Sequence, residues 1–108
     1  EIAPEDPIAR QYRAMSWHLA GDHHKALKDY DDALRLSPDE AWVYAARGDV
    51  WYQLGEYRKA IKDYTDAIRL DPTDPEFYDS RGFAWEALGE NSKADADFAK
   101  AESLETEL

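Results

Sequence analysis

The sequence predicts an all-α fold, an α-solenoid of helix–turn–helix units. Three observations lead to this prediction. The chain repeats itself every 34 residues, glycine and proline recur at fixed places in each repeat, and the apolar residues between them follow helical spacing. No strand is expected. A repeat of this length is typical of arrays in which each unit packs only against its neighbours.

The repeat is visible when the chain is shifted by 34 residues against itself. Gly21 then aligns with Gly55 and Gly89. The other shared columns are Lys25-Ala26, Lys59-Ala60 and Lys93-Ala94; Asp29-Tyr30, Asp63-Tyr64 and Asp97-Phe98; Ala33, Ala67 and Ala101; Leu36, Leu70 and Leu104; and Pro38 with Pro72. The predicted organisation is an extension over 1–6 followed by units 7–40, 41–74 and 75–108.

Each unit is expected to form two helices, giving six in all. Asp74-Pro75 places an N-cap acceptor before a first-turn proline, and Asp6-Pro7 does the same at the start of the first unit. The first helix of a unit then runs to Gly21, Gly55 or Gly89, where glycine supplies a left-handed C-terminal conformation. The second helix begins at the acidic residue that follows and ends before Pro38 or Pro72.

Two sets of columns indicate how the helices pair. Small residues recur where the helices should touch, at Ala14, Gly48 and Gly82 on the first helix and at Ala26, Ala60 and Ala94 on the second. Arginines recur at Arg13, Arg47 and Arg81, and carboxylates at Asp29, Asp63 and Asp97. An arginine fork can bind a carboxylate through two hydrogen bonds, so we predict Arg–Asp pairs within or between repeats.

These residues resemble the tetratricopeptide repeat family, whose unit is a 34-residue helix–turn–helix. The middle unit carries the pattern as Tyr44, Gly48, Trp51, Gly55, Tyr57, Ala60, Tyr64, Ala67 and Pro72, and the third carries it as Tyr78, Gly82, Trp85, Gly89, Ala94, Phe98 and Ala101. The first unit departs from it, with Arg10 in place of an aromatic residue and Ala14 in place of glycine. The resemblance implies a right-handed superhelix that binds protein or peptide.

In that family the first helices line a concave groove that holds a partner segment. The resemblance places twelve residues of this chain there: Ile8, Gln11, Met15 and His18; Trp42, Ala45, Asp49 and Tyr52; Glu76, Asp79, Phe83 and Glu86. Four of the twelve are carboxylates and none is Lys or Arg, while the aromatic residues supply apolar area. The groove should therefore favour a partner with basic and apolar side chains.

One branch of the family binds the acidic C-terminus of heat-shock chaperones through a clamp of Lys, Asn and Arg. The matching positions here are Gln11, Met15, Ala46, Glu76 and Ser80. None supplies a cation, and Glu76 would repel a carboxylate. We therefore expect no carboxylate clamp in this chain.

The ends of the array differ from its middle. In the third unit Asp95 stands in the column of Leu27 and Ile61. Glu102 stands in the column of Leu34 and Ile68. These columns should face a following repeat, so the second helix of the third unit is predicted to be polar and cap-like. Ala9 and Ser16 make the first helix of the first unit less apolar than its equivalents.

Composition excludes several functions. The net charge of −11 disfavours nucleic acid, which needs clustered Lys and Arg, and no apolar run is long enough to span a membrane. The chain has no cysteine, its three histidines show no ligand spacing, and no glycine-rich phosphate loop or nucleophile motif is present. We expect no catalytic, metal or cofactor site, and the compartment stays undetermined. An alternative role is a structural spacer or a self-associating homo-oligomer.

Overall fold

A computed structural model describes Arg13, Met15 and residues 21–106 of the chain. This part contains five helices and no strand, which confirms the all-α prediction, although six helices were expected. The missing one is the first helix of the first unit. Apart from Arg13 and Met15, whose backbones are helical, it lies outside the described residues, together with the predicted start at Asp6-Pro7 and with Ala14 of the small-residue seam.

The helices follow the repeat. They are α1 (His23–Leu36), α2 (Ala41–Gln53), α3 (Tyr57–Leu70), α4 (Pro75–Ala87) and α5 (Asn91–Thr106). In the described chain the second helices are therefore α1, α3 and α5, and the first helices of the middle and third units are α2 and α4. Short connections bring consecutive helices together, and α2 also contacts α4. The first helices of adjacent units thus share one surface.

Glycine and capping side chains determine where the helices end. Gly21, Gly55 and Gly89 have φ angles of 83°, 79° and 80°, the left-handed region that the sequence predicts at these turns. The Asp22 side chain accepts a hydrogen bond from the backbone N–H of Lys25 at 3.2 Å, which caps α1. Asp74 accepts from the N–H of Glu76 at 3.0 Å ahead of Pro75, so the predicted start of α4 is confirmed.

The core runs through the junctions between units. Leu27 and Leu34 of α1 pack in one buried cluster with Val43 and Val50 of α2. Further along the chain, buried Ile61 of α3 belongs to a cluster with Ala84 of α4. Trp51 packs against both clusters and makes the core continuous. At the equivalent places on α5, Asp95 and Glu102 are exposed.

Close approach of paired helices explains the small residues in their seam. A Cβ atom added to Gly48 would lie 2.8 Å from the Tyr64 ring, and one added to Gly82 would lie 2.6 Å from the Phe98 ring. Ala60 and Ala94 on the partner helices are fully or almost fully buried. In the middle and third units the aromatic ring of the second helix therefore lies directly on the glycine of the first helix.

Candidate functional site

Three arginine–aspartate pairs link the helices whose outer residues form the candidate groove to the helices that follow them. Nε and Nη2 of Arg47 donate to the two carboxylate oxygens of Asp63 at 2.9 and 2.8 Å. Arg13 binds Asp29 in the same way, at 2.7 Å for both bonds, and Arg81 binds Asp97 at 2.8 Å for both. The three aspartates are buried. The predicted pairing is confirmed, and each pair joins the two helices of one unit.

Two of these arginines also reach the preceding unit. Nη1 of Arg47 donates to Asp31 of α1 at 2.8 Å, and Nη1 of Arg81 donates to the hydroxyl of Thr65 on α3 at 3.2 Å. The pKa of Arg47 lies above its ordinary value, mainly because its guanidinium donates hydrogen bonds to Asp63. Burial nevertheless raises the pKa of Asp63, because its effect exceeds the lowering by Arg47.

The structure describes nine of the twelve predicted groove residues. Met15, Trp42, Asp49, Glu76, Phe83 and Glu86 are exposed, and Ala45, Tyr52 and Asp79 are half-buried. Ala45 and Tyr52 pack against the buried cluster formed by residues of α3 and α4. The remaining three, Ile8, Gln11 and His18, lie outside the described residues.

Three of the predicted residues come together around one cavity. Asp49 and Tyr52 of α2 and Phe83 of α4 line a cavity of about 170 Å³ between the middle and third units. Tyr64 of α3 and Ser80 of α4 complete its wall. Neither of these two was predicted as a groove residue, because Tyr64 belongs to the second helix and Ser80 was considered only as a clamp position.

A hydrogen bond between the helices of the middle unit holds the Asp49 carboxylate. The hydroxyl of Tyr64, a residue only 1% exposed, donates to Asp49 Oδ1 at 2.6 Å. In the third unit the same two columns hold Phe98 and Phe83, whose rings meet edge to face with centroids 5.1 Å apart. In the first unit the two columns hold Met15 and Tyr30, so tyrosine does not depend on a carboxylate in the other column, and no signal in the sequence would have identified Tyr64 as the partner of Asp49.

The tyrosines near Asp49 should make the protein sensitive to alkaline pH. Burial and the nearby charge of Asp49 raise the pKa of Tyr30 to about 12. Burial, the charge of Asp49 and the hydrogen bond to Asp49 also raise the pKa of Tyr64. The ordinary value is 10.0. Above pH 10 the native state keeps protons that the unfolded state releases. We therefore expect the free energy of unfolding to fall by about 1.4 kcal/mol per pH unit for each tyrosine as pH rises towards 12.

Urea unfolding at pH 9, 10 and 11 measures this dependence. Tyr64→Phe is the matched control, since phenylalanine occupies the same column at Phe98. The control should lose stability more slowly with pH than the wild type. Equal slopes for the two proteins would contradict the assignment.

In the part of the chain that the structure describes, no three His, Asp or Glu side chains converge on a point where they could hold a metal ion. Within the same residues, no helix combines the length and apolar character needed to cross a membrane.

Known proteins share both the repeat and the architecture. A family model described as TPR repeat matches residues 18–55 and 48–89. A crystal structure of MamA is 26% identical with a TM-score of 0.93; the match covers 95% of this chain and 60% of that one, so this chain spans less than two thirds of MamA. The second TPR of Spaghetti (RPAP3), bound to HSP90 peptide SRMEEVD, is 26% identical with a TM-score of 0.87 and 91% coverage of both chains.

A plant protein has the same architecture. The Arabidopsis OM64 TPR domain is 26% identical with a TM-score of 0.89, and the match covers 94% of this chain and 84% of that one. No curated protein sequence matches the chain. The three solved structures named above are each 26% identical in sequence to this chain.

Proposed function

The chain belongs to the tetratricopeptide repeat family, and from this we propose that it is a non-catalytic adaptor whose concave groove binds an extended partner segment carrying basic and apolar side chains. The groove is formed by the first helices of three units, 7–40, 41–74 and 75–108, stacked as a right-handed solenoid of six helices. Solved relatives that hold peptides, such as the second TPR of Spaghetti (RPAP3) with SRMEEVD, support a peptide-binding role.

The charge of the groove carries the proposal for a basic partner. Among the nine described groove residues are the four carboxylates Asp49, Glu76, Asp79 and Glu86, and no Lys or Arg. The side chains of Trp42 and Phe83 are 36% and 50% exposed beside them. Negative potential next to exposed aromatic area favours a segment with cationic and apolar side chains.

The same residues argue against an acidic ligand. SRMEEVD carries several carboxylates, which need positively charged partners in a groove. At the described clamp positions this chain has Met15, Ala46, Glu76 and Ser80, and Gln11 lies outside the described residues. Identity of 26% to the Spaghetti domain thus supports the shared fold and a peptide ligand, while the side chains here select a different kind of peptide.

Two peptides test the proposal by isothermal titration calorimetry. A capped ten-residue peptide of alternating lysine and leucine should bind, and its affinity should weaken as salt is raised, because screening reduces attraction to an acidic groove. SRMEEVD should give no binding heat under the same conditions. Binding of SRMEEVD at equal or higher affinity would overturn the proposal. Sedimentation over a range of concentrations separates an adaptor, which stays monomeric, from a self-associating module.

A further inference from the structure

At each joint between consecutive units, an arginine reaches back to the second helix of the unit before it. Nη1 of Arg47 donates to Asp31 at 2.8 Å, and Nη1 of Arg81 donates to the hydroxyl of Thr65 at 3.2 Å. The two acceptors are 34 residues apart in sequence, so they occupy the same place on α1 and on α3. A charged acceptor therefore closes the first joint, and a neutral acceptor closes the second.

Thr65 lacks the negative charge that Asp31 has, and a phosphoryl group is a modification that supplies one. A threonine hydroxyl can carry phosphate, which adds about 1.5 to 2 negative charges at pH 7 and three strong acceptor oxygens. The Thr65 side chain is exposed. The third unit has Ala99 in the same column, which can neither accept a hydrogen bond through its side chain nor be phosphorylated. Thr65 is therefore the position in this column that can change between a neutral and a charged acceptor.

The arginine at this joint is held in a fixed orientation. Nε and Nη2 of Arg81 donate to the two carboxylate oxygens of Asp97, both at 2.8 Å. The side chains of Arg81 and Asp97 are only 21% and 8% exposed. These two bonds fix the plane of the guanidinium and direct Nη1 towards α3. A phosphate on Thr65 would thus meet an oriented donor of the kind whose planar geometry suits phosphate oxygens.

The face of α3 that carries Thr65 has an excess of positive charge. Lys62 lies one turn before Thr65 and Arg69 one turn after it, so the three side chains share a face of the helix. Both cations are well exposed, and both pair with the single carboxylate of Asp66, at 3.3 and 3.8 Å. Two cations therefore stand against one anion on this face, and the remaining positive potential favours an added phosphate.

We propose that Thr65 is a phosphorylation site, and that its phosphate binds Arg81 and locks the third unit onto the middle unit. A protein kinase would transfer the γ-phosphoryl group of ATP to Thr65. The bond from Oγ1 to phosphorus forms, the bond from the γ-phosphorus to the bridging oxygen of ADP breaks, and the hydroxyl proton is released. The claim concerns the joint and holds whatever the groove binds. Because α4 also carries Phe83 of the groove, the modification would fix one side of that surface.

Urea unfolding of a semisynthetic chain with phosphothreonine at position 65 measures the lock. Relative to the unmodified chain, its folding equilibrium constant should rise at least about fivefold, because a phosphate beside an arginine gains about one to three charge-assisted hydrogen bonds. The matched control compares Ala99→phosphothreonine with Ala99→Thr on α5. Among the described residues Ala99 faces no counterpart of Arg81, so phosphate there should change the constant less than about twofold or lower it. Equal gains at the two positions would overturn the lock.

A ³¹P nuclear magnetic resonance titration of the same chain identifies Arg81 as the partner of the phosphate. The second pKa of phosphothreonine, ordinarily about 6, should fall by about 1 at Thr65, because a nearby positive charge favours the dianion. It should rise again in Arg81→Met with Asp97→Leu, which removes the guanidinium without leaving a buried carboxylate unpaired. A second pKa at Thr65 equal to that of Ala99→phosphothreonine would overturn binding by Arg81.

A kinase reaction tests whether Thr65 can be modified in the folded chain. The kinase is chosen for its ability to phosphorylate a synthetic peptide of residues 58–72, in which Thr65 is the single Ser or Thr. With ATP it should also place phosphate on Thr65 of the folded chain, located by mass spectrometry, and Thr65→Val should remain unmodified at that position. If only the peptide is phosphorylated, the fold protects Thr65 and the proposed site is wrong. None of these measurements involves peptide binding, so their failure leaves the groove proposal standing.

Discussion

Reversal of two groove charges, Asp49→Lys with Asp79→Lys, is expected to abolish binding of the peptide of alternating lysine and leucine. The double variant replaces two attractive contacts with two repulsive ones. Close charge pairs at protein interfaces contribute about 1.5 kcal/mol or more each, and 1.4 kcal/mol corresponds to a tenfold change in affinity. Loss of two such contacts gives at least ~100-fold weaker binding before repulsion is added. Calorimetry at low salt measures the change.

A charge-matched control makes this result specific to the groove. Asp95→Lys with Glu102→Lys alters the net charge by the same amount on the exposed face of α5. That variant should bind the peptide within a few-fold of wild type, because screening limits exposed charges to about 8–10 Å. Equal loss in both double variants would show that net charge alone attracts the peptide, which contradicts a groove site.

A second groove variant separates loss of binding from loss of stability. Asp49→Lys removes the acceptor of the Tyr64 hydroxyl, and a buried donor left unpaired costs about 1–3 kcal/mol. Asp79→Lys with Glu86→Lys changes the same number of charges and leaves that hydrogen bond in place. It should also weaken the peptide at least ~100-fold, with an unchanged free energy of unfolding. Wild-type affinity in this folded variant would contradict the proposed acidic groove.

The repeat period explains why so much of the fold was predictable. A residue that recurs every 34 positions occupies the same place in every unit, so Gly55 and Gly89 predict the same turn. The Arg and Asp columns are 16 residues apart in every unit. Arg47 binds Asp63, and the equivalent residues of the other two units bind each other in the same way. The columns of Leu27 and Leu34 likewise pack on the next unit as expected.

The cavity was not predictable to the same degree, because it depends on how columns combine. The 34-residue period places Asp49 and Phe83 in the same column. In the cavity, however, Asp49 supplies a charged hydrogen-bond acceptor and Phe83 supplies an aromatic ring. Tyr64 reaches the groove only because Gly48 lets its ring lie on α2 and brings the hydroxyl to Asp49. The repeat pattern gives this position only as an aromatic residue of the second helix, which accounts for its ring but not for its hydroxyl.

Loss of the Arg47 guanidinium is expected to lower the free energy of unfolding strongly. Arg47 binds buried Asp63 through two hydrogen bonds and Asp31 of the preceding unit through a third. The side chains of Arg47 and Asp63 are 22% and 4% exposed, so solvent screens the pair only weakly. Arg47→Met retains apolar volume but leaves the Asp63 carboxylate without these bonds.

The expected cost of Arg47→Met is about 3–5 kcal/mol at pH 7, the usual result of removing one partner of a buried ion pair. Single domains of this size are stable by about 5–15 kcal/mol in total, so urea unfolding should show a large shift of the midpoint. Asp31→Asn, which removes only the exposed partner, should cost about 0–1 kcal/mol. A loss below 1 kcal/mol for Arg47→Met would contradict the structural role of the pair.

The pH dependence of Arg47→Met identifies Asp63 as the origin of the loss. Burial already raises the pKa of Asp63 above its ordinary value of 3.8, and Arg47 opposes that rise. Without Arg47 the pKa rises further. The native variant then holds a proton that the unfolded chain releases near pH 4. Its stability is therefore greatest at low pH and is lost as pH rises through the raised pKa. The difference from wild type should shrink as pH falls from 7 towards 4.

Replacement of both partners completes the test. Arg47→Met with Asp63→Leu removes the buried charge together with its partner, and exchange of a buried ion pair for apolar side chains is often neutral or stabilising. The double variant should therefore recover most of the stability lost in Arg47→Met and should show no extra dependence on pH between 4 and 7. If the double variant is as unstable as the single one, the loss comes from the contact with Asp31 or from packing, and not from an unpaired Asp63 carboxylate.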